Sequence, residues 1–557
     1  MRAILLTTSV CALLVAGCGS DETSTSSGGS GGGQGGSGGS GAAGGAGGAG
    51  GSGGGQGCVT SVKPEPGTVI TQTGAVTGAK VGTTWAWKGI PYAAPPVGDL
   101  RWKRPQPHAC WEDARPAIDF GPICLQADAD GGVVGSEDCL SVNIWAPEDA
   151  SADKPAPVMF YIHGGGNTQG SASNQVGNVY LFDGQALSEQ NRVVVVTIQY
   201  RLGPMGWLAH PALAEGEPAA AGNYGAHDQV SALRWVKENI ASFGGDPART
   251  LVFGESAGAV NTCMMLATPL AKGLFSSALM QSGGCVAQPK VTAESFASEW
   301  ATMAGCEGEA DPAACLRAMS AEDVQLLVPS PIDLAGKQGP FQPIVDGVLL
   351  PKAPQEILDA GEHNHVPFVV GANENETAQA VPDMTEAEYE ALITATFATF
   401  ADEVLAEYPA SEFPTPRDAY VAVTSDAKFI CGARRIARAV RAGQSEPVFR
   451  YHFTHVLDNV GPMGKKNGAF HGVELFFVFN HLNVAGYSPS AGEVELATAL
   501  GGYWSRLADA GDPNGAGAVT WPVYDAAKDS YLRLDTTITA EEGVHTDRCD
   551  FWDGLAL

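Results

Sequence analysis

A serine set between glycines on a tight turn is the first place in this 557-residue chain where chemistry can be read. The stretch Leu251-Val252-Phe253-Gly254-Glu255-Ser256-Ala257-Gly258 passes from a β-type apolar segment through Gly-x-Ser-x-Gly into an apolar run ending near Leu266. A strand, a sharp turn and a helix are therefore expected, with Ser256 at the tip. Gly254 and Gly258 suit a turn with no room for side chains beside the serine. The helix beginning after Ser256 would aim unpaired N–H groups and the positive end of its dipole at one point, where an oxyanion can be held. The chemistry implied is acyl transfer through a serine, which needs a base, an acid that orients it, and oxyanion donors.

Candidates for all three follow from local context. The donors come from His163-Gly164-Gly165-Gly166, which follows the apolar segment 157–162. The N–H groups of Gly165, Gly166 and Ala257 are the candidate oxyanion hole. A plain flexible loop is the alternative in a chain with 72 glycines, but a buried strand leading into three glycines is the more specific pattern. The acid is sought in the loop after the apolar segment 366–370. Glu376 is the first candidate there and Glu374 the fallback, in chain order serine, acid, histidine. The base is His471, in Gly468-Ala-Phe-His-Gly472, ahead of the apolar run 475–479. Its rivals are His452, His455 and His481; the glycine directly after His471 leaves room for its ring to reach Ser256. A neutral histidine base predicts activity that falls as pH drops through about 6 to 7.

With these residues in place, other stretches become recognisable. They include Lys88-Gly-Ile-Pro-Tyr-Ala93, Ser136-Glu-Asp-Cys-Leu140, Gln199-Tyr-Arg-Leu-Gly203, Phe243-Gly-Gly-Asp-Pro247, Gln281-Ser-Gly283, Gly511-Asp-Pro-Asn514 and Cys549-Asp-Phe-Trp552. Together, and over roughly residues 63–553, the chain resembles the type-B carboxylesterase/cholinesterase family of α/β-hydrolases. The resemblance implies an α/β fold with a large, mostly parallel central sheet, helices on both faces and helical insertions around the cleft. It implies a Ser256–His471–Glu376 triad hydrolysing carboxylic esters through an acyl-enzyme, with no cofactor. It also implies disulfides Cys124–Cys139, Cys306–Cys315 and Cys431–Cys549. Cys58–Cys110 is a further expected pair; Cys263 and Cys285 are left either free or paired. Asn167 departs from the family, which often has an aromatic residue after the glycines. No aromatic residue lies between Cys124 and Cys139, so choline esters are a poor first guess. A lipase acting on long acyl chains and a non-catalytic surface binding or adhesion module are the competing readings. The second is disfavoured because serine, acid and histidine all persist.

The rest of the chain bounds the setting. Residues 1–17 read as a lipoprotein signal peptide, with Cys18 of Leu14-Val-Ala-Gly-Cys18 as the lipidated residue. Residues 18–57 read as a Gly/Ser-rich tether with a mean reach of roughly 35 Å. Residues 58–557 are expected to form one hydrolase domain, with a helix over 228–243 and helical excursions over 294–327 and 385–408. An exported, membrane-anchored enzyme is expected, at the outer membrane or cell surface, with secretion as the alternative; the membrane is met only through the anchor. The formal net charge of −29 leaves no basic footprint for nucleic acid, so the partner is a small-molecule ester. The Cys and His spacings give no zinc pattern, and Asp128-Ala-Asp130 reads as solvated acids rather than a Ca²⁺ loop. Metal: none is the reading.

Overall fold

The computed structural model describes Cys58, residues 61–63 and residues 65–555, apart from residue 129 and the segments 215–220, 328–333 and 336–338. The expected signal peptide, Cys18 and tether lie outside the described residues.

Apolar runs bounded by Gly, Pro and polar turns produce the inner strands of one sheet, and short polar segments its two edges: β1 (Ala79–Val81), β2 (Thr84–Pro91), β3 (Ser141–Pro147), β4 (Ala156–Ile162), β5 (Val194–Ile198), β6 (Gly245–Glu255), β7 (Ser277–Gln281), β8 (Phe368–Asn373), β9 (Val448–Phe453), β10 (Ser530–Leu534) and β11 (Thr539–Glu542). Across the sheet the order is β11-β10-β9-β8-β7-β6-β4-β5-β3-β2-β1. Every pairing from β5 across to β10 is parallel. Both margins are antiparallel. This is the mixed sheet of an α/β-hydrolase. Strand order reverses around β4, which has β5 on one side and β6 on the other, and crevices at such reversals hold ligands beyond the carboxyl ends of strands.

Along β4, side chains alternate between two cores, as the pleat requires. Val158, Phe160 and Ile162 pack with α1 (Tyr224–Asn239), α2 (Ala257–Ala267) and α6 (Cys431–Gly443), through Leu233, Met264 and Ile436 among others. Met159 and Tyr161 pack on the other face with Leu496, Leu500 and Trp504 of α7 (Ala491–Ala510). Burial on both faces is why the central strands read as unbroken apolar runs. Between them in the chain lie α3 (Lys290–Met303), α4 (Glu386–Phe397) and α5 (Ala401–Glu407). The chain's last helix is α8 (Thr546–Gly554).

The helix expected over 228–243 starts earlier, at Tyr224, and gives way to a 3-10 turn, Ile240–Phe243, before Gly244 takes a left-handed φ of 82°. The excursion over 294–327 is not one helix. It breaks around Gly305 and Gly308, and Pro312 opens a second short helix inside the Cys306–Cys315 loop. Trp87, Trp102 and Trp111 are buried and pack in the core. No helix of the described residues is long and apolar enough to cross a membrane.

Among the described residues, five disulfides join Cys58–Cys110, Cys124–Cys139, Cys263–Cys285, Cys306–Cys315 and Cys431–Cys549. The question left open for Cys263 and Cys285 is answered by a bond between α2 and the segment following β7. The Asp128 carboxylate is turned onto the N–H groups of Asp130 and Gly132, an ordinary Asx-type turn.

The β5 edge is locked to α1 by a buried ion pair. The Arg201 guanidinium donates twice to Asp228, at 2.7 Å each, and Asp228 is fully buried. Removing one partner strands the other charge in a dry interior. Asp228→Ala is expected to lower unfolding free energy by about 3–5 kcal/mol, read by urea or thermal unfolding. A loss of about 1 kcal/mol or less would instead mark a solvent-screened pair.

Candidate active site

The elbow forms where β6 ends and α2 begins. Ser256 caps α2 with φ 58° and ψ −123°, a sparsely populated conformation for a residue with a Cβ. Its N–H donates to the Gln281 carbonyl at 2.9 Å, which pins the turn to the end of β7. The flanking glycines are required by contact rather than by dihedral. A Cβ on Gly254 would sit 2.4 Å from the Gly258 carbonyl oxygen, and one on Gly258 would sit 2.0 Å from that of Ile162. At the start of α2 the N–H groups of Ala259 and Val260 donate to the Ser256 carbonyl at 2.9 and 3.1 Å, whereas those of Ala257 and Gly258 belong to the positions a helix leaves without an internal acceptor.

The triple-glycine loop leaves the neighbouring strand β4. Gly165 and Gly166 both take positive φ, at 105° and 60°. Gly164 packs directly against the elbow: a Cβ there would lie 2.8 Å from the Glu255 carboxylate and 3.0 Å from Cβ of Ser256. His163 is buried and stacked on Tyr200 with ring centroids 4.4 Å apart. Burial lowers its pKa to about 4, so the ring is neutral and serves as packing. Asn167 anchors the loop instead of lining a pocket. It is 2% exposed; its Oδ1 accepts from Asn261 of α2 at 2.9 Å and its Nδ2 donates to the Phe341 carbonyl.

The third contribution comes from the loops after β8 and β9. His471 Nδ1 lies 2.6 Å from Glu376 Oε2, and Glu376 is completely buried. The other Glu376 oxygen accepts from the Asn373 N–H at 2.8 Å, and the His471 N–H donates to the Glu376 carbonyl at 3.2 Å. Side chain and backbone thus hold the imidazole in one orientation. Glu374, the fallback acid, is directed elsewhere: its carboxylate is 2.6 Å from His452. His455 is engaged by Glu493 and Asp535, and His481 faces the Asp183 carbonyl.

The structure therefore brings Glu376 and His471 into contact, and brings the glycine loop against the elbow. It does not form a Ser256–His471 hydrogen bond. His471 Nε2 faces Glu255 Oε1 at 3.1 Å, without a hydrogen bond of its own. The Glu255 carboxylate lies between two glycines: a Cβ on Gly472 would come 3.3 Å from its Oε1, as one on Gly164 would approach its Oε2.

Two carboxylates that carried no role in the sequence reading belong to this site. Glu255 directly precedes Ser256. Glu474, three residues after His471, is fully buried and accepts from Gln281 at 2.9 Å and Asn373 at 2.6 Å. Their placement one and three residues from the two candidates was the only available signal. Burial pushes both carboxyls above the ordinary glutamate range. For His471, burial disfavours the cation, but the charges of Glu255 and Glu376 outweigh it and hold the imidazole above its usual value.

The fold and these loops define a serine-dependent hydrolase of the α/β type. The chain belongs to the carboxylesterase family, whose model, described as "Carboxylesterase family", matches residues 65–552. It is 35% identical over 495 residues to a para-nitrobenzyl esterase of Bacillus subtilis, covering 86% of this chain and 97% of the relative. It is 34% identical to a carboxylesterase 1D of Rattus norvegicus, covering 84% and 88%, and 35% identical to a fumonisin B1 esterase of Sphingopyxis macrogoltabida, covering 82% and 84%. The protein is a carboxylic ester hydrolase.

The base role expected of His471 requires a neutral ring, so activity is expected to fall as pH drops through its pKa. With that pKa raised, the acid limb lies above the range expected for a free histidine. Glu255→Gln removes the charge facing Nε2 and is expected to move the acid limb of kcat/KM to lower pH. A limb that stays in place would show that Glu255 carries no charge opposite the ring.

Proposed function

We propose that Ser256, His471 and Glu376 act as nucleophile, base and orienting acid in the hydrolysis of neutral small-molecule esters. The observation carrying this reading is the buried 2.6 Å contact from Glu376 to His471, beside an elbow that touches the triple-glycine loop. A carboxylate has no proton to offer, so Nδ1 carries the hydrogen and neutral His471 presents a lone pair at Nε2. In the proposed reaction the Ser256 hydroxyl attacks the ester carbonyl as its proton passes to Nε2. Nε2 meets the serine hydroxyl with the Nδ1–Glu376 contact kept, since catalytic hydrogen bonds commonly tighten only when substrate is bound. The tetrahedral oxyanion is held by the N–H groups of Gly165, Gly166 and Ala257, each donor contributing about 3 kcal/mol. Collapse expels the alcohol, which takes the proton from His471. Water then repeats the sequence on the acyl-enzyme and releases the acid.

We further infer an exported, lipid-anchored arrangement: a signal peptide over 1–17, acylation at Cys18, a tether over 18–57 and one hydrolase domain over 58–557. The five disulfides support an oxidising compartment. Two acyl chains hold a protein to a bilayer stably, where one does so marginally.

Ser256→Ala is expected to keep the unfolding midpoint while losing hydrolysis of p-nitrophenyl esters and labelling by a fluorophosphonate. Undiminished turnover would remove Ser256 from this role, and a rate rising steadily with acyl length would favour a lipase. Cys18→Ala is expected to move the protein from the membrane fraction to the soluble fraction; an unchanged distribution would refute the anchor.

A further inference from the structure

Beyond the ester site, one cluster gathers metal-binding side chains from segments far apart in the chain. Glu374 follows β8, two residues before Glu376. His452 lies on the neighbouring strand β9. His545 sits at the start of α8, in a left-handed conformation with φ 47°. Glu374 Oε2 is 2.6 Å from His452 Nε2 and 3.4 Å from His545 Nε2. One ligand atom from each residue lies within 4.8 Å of the other two.

The surroundings are those of a ligand set. His545 Nδ1 is 2.6 Å from Asp426 Oδ1, so Nδ1 carries the hydrogen and Nε2 is the nitrogen directed to Glu374. A carboxylate behind a histidine in this way fixes ring orientation and raises ligand basicity at metal sites. Asp426 is itself held, its other oxygen accepting from the Tyr408 hydroxyl at 3.0 Å. Glu374 brings its carboxylate to the ion directly; Asp426 also faces Arg548, whose Nη1 is 3.6 Å from its Oδ2. An entry path exists, because the Glu374 and His545 side chains are 37% and 23% exposed.

We propose that Glu374, His452 and His545 bind one divalent first-row transition-metal ion, such as Zn²⁺, which staples the loop carrying Glu376 to the C-terminal helix. Ligand atoms bonded to such an ion at roughly 2.0–2.2 Å stand about 3.4 Å apart across a tetrahedral angle. The Glu374–His545 separation already has this value; the Glu374–His452 hydrogen bond must open as the ion enters, each histidine binding through an Nε2 stripped of its proton and keeping one hydrogen on Nδ1, with any further proton leaving to solvent. Water completes the coordination. The expectation of no metal rested on contiguous Cys and His spacing, and ligands at 374, 452 and 545 have none. The other grouping of this kind, His455, Asp458 and Glu493, differs in kind. Glu493 is already committed to the N–H groups of Asp458 and Ser490 and to the Tyr487 hydroxyl, as part of the cap of α7.

The test uses the full-length oxidised chain, with Zn²⁺ followed by calorimetry and Co²⁺ by visible absorption. The wild type is expected to bind one equivalent of each, and its thermal midpoint to rise with added Zn²⁺. Glu374→Gln and His545→Ala are expected to lose both effects, while keeping p-nitrophenyl ester turnover without metal as proof of folding. Asp426→Asn is expected to bind about 10–100-fold more weakly. Absence of binding by the wild type, or equal binding by the wild type and Glu374→Gln, overturns the proposal. Neither result bears on the ester site, since neither residue touches His471 or Ser256.

Discussion

The contact between the Glu376 carboxylate and His471 Nδ1 is the interaction around which the site is organised. Both groups are buried, and a buried charge is tolerated only when it is paired and hydrogen-bonded. Glu376 meets that demand with a backbone N–H on one oxygen and the imidazole on the other. The same pairing selects one histidine tautomer and one ring orientation. Two further carboxyl groups then have to be accommodated around it. Glu474 is satisfied by Gln281 and Asn373, whereas Glu255 is left facing Nε2.

That arrangement depends on the sheet. Parallel strands deliver all their C-terminal loops to one edge, and the reversal of order around β4 lets the glycine loop and the elbow approach each other. The approach is so close that a single methyl at Gly164, Gly254 or Gly258 would meet another atom at 3.0 Å or less. Glycine here is a packing requirement, met where two backbones touch. Local strain at Ser256 is held by the same contacts, with its N–H bonded to β7 and Asn167 tying the glycine loop to α2.

The carboxylates around His471 have opposing consequences. In the proposed mechanism they would stabilise the imidazolium that forms during attack and so lower the barrier. They also raise the pKa of the free base, which reduces the neutral fraction at lower pH. Burial of Glu255 and Glu474 raises their own pKa values and tempers the second effect. A site of this kind titrates as a group rather than residue by residue.

Much of this was legible in the chain. Gly-x-Ser-x-Gly after an apolar strand, and three glycines after another, carry their geometry in local sequence, because tight turns and close backbone approach select residue types directly. The central strands were equally visible, since burial on both faces leaves unbroken apolar runs. Helix ends were less so: Tyr224 and the break at Gly305 depend on what the neighbouring segments pack against. Distant partnerships were decided only by the tertiary structure. Nothing local says that Cys263 bonds Cys285, that Glu374 turns to His452 while Glu376 takes His471, or that Glu255 faces the imidazole. Backbone conformation is set by interactions within a few residues, and composition records it. Which side chain meets which, between segments distant in the chain, is fixed when the sheet closes and each buried group must find a partner in the space that remains.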